Sequence, residues 1–145
     1  MRYQSATLLF AASVLAAVGT ATPVGAHHAF AAEFDSTQPI TLRGSVTRVE
    51  WINPHTWIHL DVKDSSGKVI EWMIEGGTPN TLLRRGVDKN SLPAGTEIVV
   101  EGYRAKNGTN RANGRDLTLP NGRKLFLGSS GTGAPADGKD PGETK

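Results

Sequence analysis

Four histidines occur in 145 residues, and two of them are adjacent, in the stretch VGAHHAFAAEFD at residues 24–35. Neutral imidazole is a good ligand for copper and zinc, and carboxylates add oxygen donors. His27 and His28 supply the nitrogens here, with Glu33 and Asp35 a few residues on. The chemistry this pattern suggests first is metal binding.

The position of the pair strengthens that suggestion. Arg2 precedes an apolar run, ATLLFAASVLAAVG, too short and too alanine-rich for a comfortable membrane span. Val24 and Ala26 are small at the −3 and −1 positions of a signal-peptidase site. Residues 1–26 therefore read as a signal peptide, which implies a periplasmic or secreted protein with no membrane span after processing. Cleavage after Ala26 makes His27 the first residue. Its amine and ring can chelate together, and His28 can chelate through the amine, the intervening amide and its own ring. Both arrangements suit Cu(II), which heads the divalent affinity series; zinc is the second choice. Cleavage a few residues away would remove the amine from this scheme. The plainer reading is an ordinary mobile terminus in which the pair does nothing.

The second chemical stretch is VEWINPHTWIHLDV, residues 49–62. Asn53–Pro54–His55 reads as a turn, and turn histidines are often open to ligands. His55, Trp57, His59 and Asp61 share parity. Four residues of strand separate the His55 and His59 rings by about 13 Å, too far for one ion unless the turn folds His55 back. Two N-terminal imidazoles with His55 would form a three-nitrogen copper or zinc site, with Glu33 or Asp35 adding oxygen. The alternative is a carbohydrate or small-ligand platform of Trp51, Trp57 and His59. Trp72 falls in register with Ile70 and Ile74, which points to the core instead. A third reading is an accessory subunit that docks to another exported protein through a sheet edge or the N-terminal arm.

The elements that must position these residues are mostly strands. Residues 27–39 form an arm, either a helical turn that buries Phe30 and Phe34 together or an extended segment. ITLRGSVTRVEW begins the strand-like region, with Gly44 suggesting a bend or bulge. TWIHLDVKD alternates strictly, DSSGK is a hairpin loop, and VIEWMIEG is a third strand. The period then changes. Thr78–Gly86 carries helix signals: Thr78 or Asn80 as cap, Leu82 and Leu83 to pack, Gly86 as stop. LPAGTEIVVEGYRAK is a fourth strand, GTNRANG a flexible loop, and RDLTL–PNG–RKLFL a closing hairpin turning at Asn121–Gly122. This order predicts an all-β fold with one short helix, an OB-like five- to six-stranded antiparallel barrel over residues 40–127. The remainder, residues 128–145, has no core residues and reads as a disordered tail.

Composition narrows the function classes. Removing 26 residues from 145 leaves 119, enough for one domain. Arg2 leaves with the signal, so 15 basic side chains face 14 acidic ones, a balance that disfavours nucleic acid. The chain has no cysteine, which excludes disulfides, thiolate zinc sites, iron–sulfur clusters and thioether haem. No nucleophile elbow, His-Glu-x-x-His or phosphate loop occurs. Glu71 and Glu75 alternate on a strand, where solvated carboxylates are far commoner than acid–base pairs. A non-enzymatic binding module is the expectation.

HHAFAAEFD, GSVTRVEWINPHTWIHLDV, EWMIEGGTPNTLLRRG and GTEIVVEGYRAKNG together resemble a family of small exported bacterial proteins of unknown function. That family has a His-His-Ser/Ala-Phe segment after its signal and a Trp-x-Asn-Pro-His motif. The likeness covers about residues 27–127. It implies an exported single domain in which His27–His28 and Asn53–His55 are family features, and it implies no reaction or ligand.

Overall fold

A computed structural model describes residues 30–128. Residues 1–26, read as the signal, the pair His27–His28 and residues 129–145 lie outside the described residues. Six strands and a short helix follow one another as β1 (Phe34–Glu50), β2 (Trp57–Lys63), β3 (Val69–Glu75), α1 (Pro79–Arg84), β4 (Glu97–Ala105), β5 (Arg111–Thr118) and β6 (Lys124–Phe126). The fold is all-β apart from α1 and one helical turn at residues 30–33. The sheet order is β3-β2-β1-β4-β5-β6. β3 also pairs in parallel with β5, so the pairings complete the circuit β1–β2–β3–β5–β4–β1.

β1 is long because it serves two partners. Its first part pairs with β4, its last part with β2, and Gly44 and Ser45 pair with both. Gly44 is where the strands crowd most: a Cβ there would overlap the carbonyl of Asp61 on β2. The bulge itself falls between Val46 and Arg48. Inserting one residue reverses which side chains face in. Leu42 and Val46 enter the core before it, and Val49 and Trp51 pack against the core after it. Arg48 and Glu50 are thereby turned outward, beside His59.

Three expectations need correction. Strand structure starts at Phe34, not Ile40: Phe34 pairs with Ala105, the register is interrupted, and it resumes at Pro39 with Tyr103. The stretch read as a flexible loop up to Gly114 becomes strand from Arg111, because Ala112, Asn113 and Gly114 are buried. A Cβ at Gly114 would press on Ile74 and Leu127, so this glycine permits close packing and not mobility. In α1 only Leu82 packs; Leu83 is exposed.

The rest of α1 follows its sequence signals. Thr78 caps it, its hydroxyl accepting from the Thr81 N–H at 3.2 Å, and Gly86 takes a φ of 76° just past the end. Leu82 then joins Val46, Ile58, Leu60, Ile74 and Ile98 in the core. Trp72 is also buried there, as its parity suggested. Among the described residues, no helix is long and apolar enough to cross a membrane.

Candidate functional site

Three strands bring a row of polar side chains to one face. Trp57 of β2 pairs with Glu75 of β3, and Glu75 pairs with Asn113 of β5. The neighbouring row is His59, Met73 and Arg111. Strand alternation places both rows on the side away from Ile58, Ile74 and Ala112. The loop of residues 51–56 then returns to the end of β3. The Thr56 N–H donates to Gly77 O at 3.0 Å, and the Gly76 N–H donates to Thr56 O at 2.8 Å.

That loop brings His55 to Glu75. His55 Nδ1 lies 3.4 Å from Glu75 Oε1, although the nitrogen is buried and makes no hydrogen bond. Asn113 Nδ2 donates to the same oxygen at 3.5 Å. Glu75 is 7% exposed. Burial pushes its carboxyl above the usual carboxylate range, and nearby Glu33 adds to the rise; His55, Arg111 and the Asn113 bond oppose it. Trp51 Nε1 and Thr56 Oγ1 are also buried without partners. Three unpartnered polar atoms in one short loop are unusual, since buried polar groups nearly always find a partner.

The arm reaches the same place. Residues 30–33 form a helical turn. Phe30 stacks on Phe34 at 5.8 Å and meets Tyr103 edge-on at 5.8 Å. The Lys106 N–H donates to Glu33 O at 2.9 Å, and its ammonium donates to Ala31 O at 2.6 Å. Glu33 pairs with Arg111 at 3.3 Å, and the Arg111 guanidinium sits 4.7 Å from the centre of the Trp57 ring. Asp35 is engaged locally, accepting from the backbone and hydroxyl of Thr37 and from Gln38. Those bonds, the Thr37 hydroxyl first, hold its carboxyl below the usual range.

His59 belongs to a separate cluster. Its ring is 1% exposed, with Nδ1 2.7 Å from Glu71 Oε1 and Nε2 2.9 Å from Glu50 Oε1. Arg48 reaches the Glu50 and Glu71 oxygens at 3.3 Å and 3.7 Å. The four side chains join β1, β2 and β3 through contacts to the two carboxylates.

The structure thus places His55 beside a buried carboxylate, Trp57 beneath Arg111, Trp51 half-buried against the core, and His59 in its own cluster. Glu75, Asn113 and Arg111 do not stand out in the sequence. Glu75 looks there like one of several strand carboxylates, and the other two sit in a stretch with loop composition. The one signal for them is the shared parity of Glu71, Met73 and Glu75. Among the described residues, no group of three or more His, Asp or Glu side chains is arranged to hold a metal ion. The described donors are the pair His55 and Glu75.

No curated protein and no solved structure matches the chain. A family described as a family of unknown function, DUF6152, matches residues 14–114. That match spans well over half of the sequence, and the chain belongs to the DUF6152 family.

Proposed function

We propose that this protein is an exported binding module that holds a copper or zinc ion with His55, Glu75 and the N-terminal residues His27 and His28. The observation that carries the reading is the approach of His55 Nδ1 to Glu75 Oε1, 3.4 Å apart, buried and without a hydrogen bond between them. Two ligands of one ion can stand at this separation. Removal of residues 1–26 would expose the amine of His27 and complete the donor set.

The scaffold is read as an OB-type barrel. The circuit β1–β2–β3–β5–β4–β1, with α1 between β3 and β4, supports this. The faces of β2 and β3 used by such barrels for ligands are where Trp57 and Glu75 sit. The ring-stacking alternative has less support, because Arg111 covers Trp57 and His59 is buried. Docking to another exported protein has no feature of comparable weight behind it.

The test is a Cu(II) and Zn(II) titration of the mature protein, its N-terminus verified by intact mass. A protein with one extra N-terminal residue serves as control. One-to-one binding weakened in the control and in His55→Ala supports the module. Affinity no better than a free peptide of the same first residues refutes it.

A further inference from the structure

Asparagine precedes glycine at three places in the chain, residues 107, 113 and 121. The dipeptide is chemically labile, because a glycine nitrogen has no neighbouring side chain to hinder its attack on the asparagine amide. From the turn at Asn107 we infer that Asn107–Gly108 is a modification site primed by the fold. It deamidates ahead of the other two, with Thr109 stabilising the reacting oxygen, and its conversion loosens the arm at residues 30–33.

In the reaction the Gly108 nitrogen bonds to Asn107 Cγ, and the bond from Cγ to Nδ2 breaks. The side-chain nitrogen leaves as ammonia, taking up the proton that the Gly108 nitrogen gives up. Water then opens the resulting cyclic imide at either of its C–N bonds, giving aspartate or isoaspartate. Nothing is oxidised or reduced. Negative charge develops on Oδ1 during the attack, so donors already aimed at that oxygen lower the barrier. Asn107 Oδ1 accepts from the Thr109 N–H at 3.1 Å and from its hydroxyl at 2.7 Å. Asn121 Oδ1 accepts the Arg123 N–H at 3.0 Å, with no hydroxyl beside it.

The attacking nitrogens differ too. The Gly108 N–H reaches Ala105 O at 3.3 Å, whereas the Gly122 N–H is held by Leu119 O at 2.9 Å. Both turns are exposed and both glycines have positive φ, 77° and 81°, so neither exposure nor backbone separates them. Asn113 is shielded: it is 2% exposed, its Nδ2 donates to Glu75, and Gly114 lies in the β4–β5 ladder. The reactive turn also adjoins the arm. Lys106 donates its N–H to Glu33 O and its ammonium to Ala31 O. Isoaspartate at 107 lengthens the main chain by a methylene one residue from those bonds, and either product adds negative charge beside the ammonium.

The experiment incubates the purified protein at mildly alkaline pH, folded and in urea, and follows each asparagine by peptide mapping that separates aspartyl from isoaspartyl forms. Thr109→Val, Thr109→Ser and Asn107→Gln are run beside it, with circular dichroism for folding. In the folded protein Asn107 should react first, Asn121 later, and Asn113 should persist. Thr109→Val should slow Asn107 by about 2–12-fold, the worth of one hydrogen bond, and Thr109→Ser should restore the rate. In urea the three sites should converge and the Thr109→Val effect should vanish. Incubated wild type should be cut after Glu33 by a Glu-specific protease faster than fresh protein, and Asn107→Gln should not change on incubation. Asn121 reacting first in the folded protein overturns the inference, as does an Asn107 rate indifferent to Thr109→Val. Cleavage after Glu33 that does not change on conversion overturns the link to the arm.

Discussion

His59 Nδ1 lies 2.7 Å from Oε1 of Glu71, across the β2–β3 pairing, while its other nitrogen faces Glu50 of β1. A protonated ring offers an N–H to each carboxylate. Either neutral tautomer leaves one lone pair against an oxygen. The ring also fills buried volume, at 1% exposure. His59→Ala should therefore cost about 2–4 kcal/mol, through lost packing and lost charge-assisted bonds. Glu71→Gln should cost about 1 kcal/mol, because that side chain is half-exposed and keeps its solvation. Urea unfolding of the two variants checks the order. Equal losses would show that the bonds outweigh the packing.

Glu75 gives the chain a specific pH dependence. Its carboxyl is raised in the folded state above the ordinary value of 4.5, burial being the largest cause. A raised folded pKa means that the stability tied to the protonated form is fully present below the unfolded value. It is lost as pH rises through the folded value. Glu75→Gln removes this dependence and keeps an oxygen for Asn113 to donate to. The variant should gain on the wild type as pH rises from about 4 to about 7, read from urea midpoints at each pH.

The clasp on the arm can be opened at one residue. Arg111 both pairs with Glu33 and covers Trp57. Arg111→Met should cost about 1–2 kcal/mol in stability, since the ion pair is partly exposed and the ring contact is worth about 1 kcal/mol. It should also speed proteolysis before Phe34, where Lys106 and Phe30 would remain the main contacts. Limited digestion with a Glu-specific protease, which cuts after Glu33, measures this. Unchanged cleavage would mean that the Lys106 bonds and the aromatic contacts hold the arm without Arg111.

Much of the framework is legible in the sequence because it rests on local signals. The change from alternation to helical spacing at Thr78 locates α1, and parity puts Trp72 with Ile70 and Ile74. The site is legible only in part. His55 stands out because a turn histidine is rare and chemically distinctive. Its partner Glu75 does not, since what distinguishes it from Glu71 is burial by a loop arriving from elsewhere in the chain. Arg111 and Asn113 are hidden by composition: an Asn- and Gly-rich stretch resembles a loop, and only the parallel pairing with β3 makes it strand. Gly44 reads as a bend, but the bulge lies two residues later and the glycine serves a close approach. Long-range contact decides each of these, and one strand's sequence carries no record of its neighbour.

That close approach gives the sharpest packing prediction. A methyl group on Gly44 would overlap the Asp61 carbonyl and press on the side chain of Leu60, both on β2. Backbone cannot rotate away as a flexible side chain can. β1 is held here by β4 as well, through the pairing of Gly44 with Ile98, so separation from β2 would strain both ladders. Gly44→Ala should therefore destabilise by at least the ~1–3 kcal/mol typical of overpacking, and more if the two strands cannot part. Gly67→Ala is the contrast. A Cβ there would meet nothing within 4 Å, but the φ is 84°, so the cost is backbone conformation alone. Thermal unfolding of both variants separates the two causes. A Gly44→Ala protein no less stable than Gly67→Ala would mean that β1 and β2 part easily, and that the bulge at Val46–Arg48 absorbs the shift.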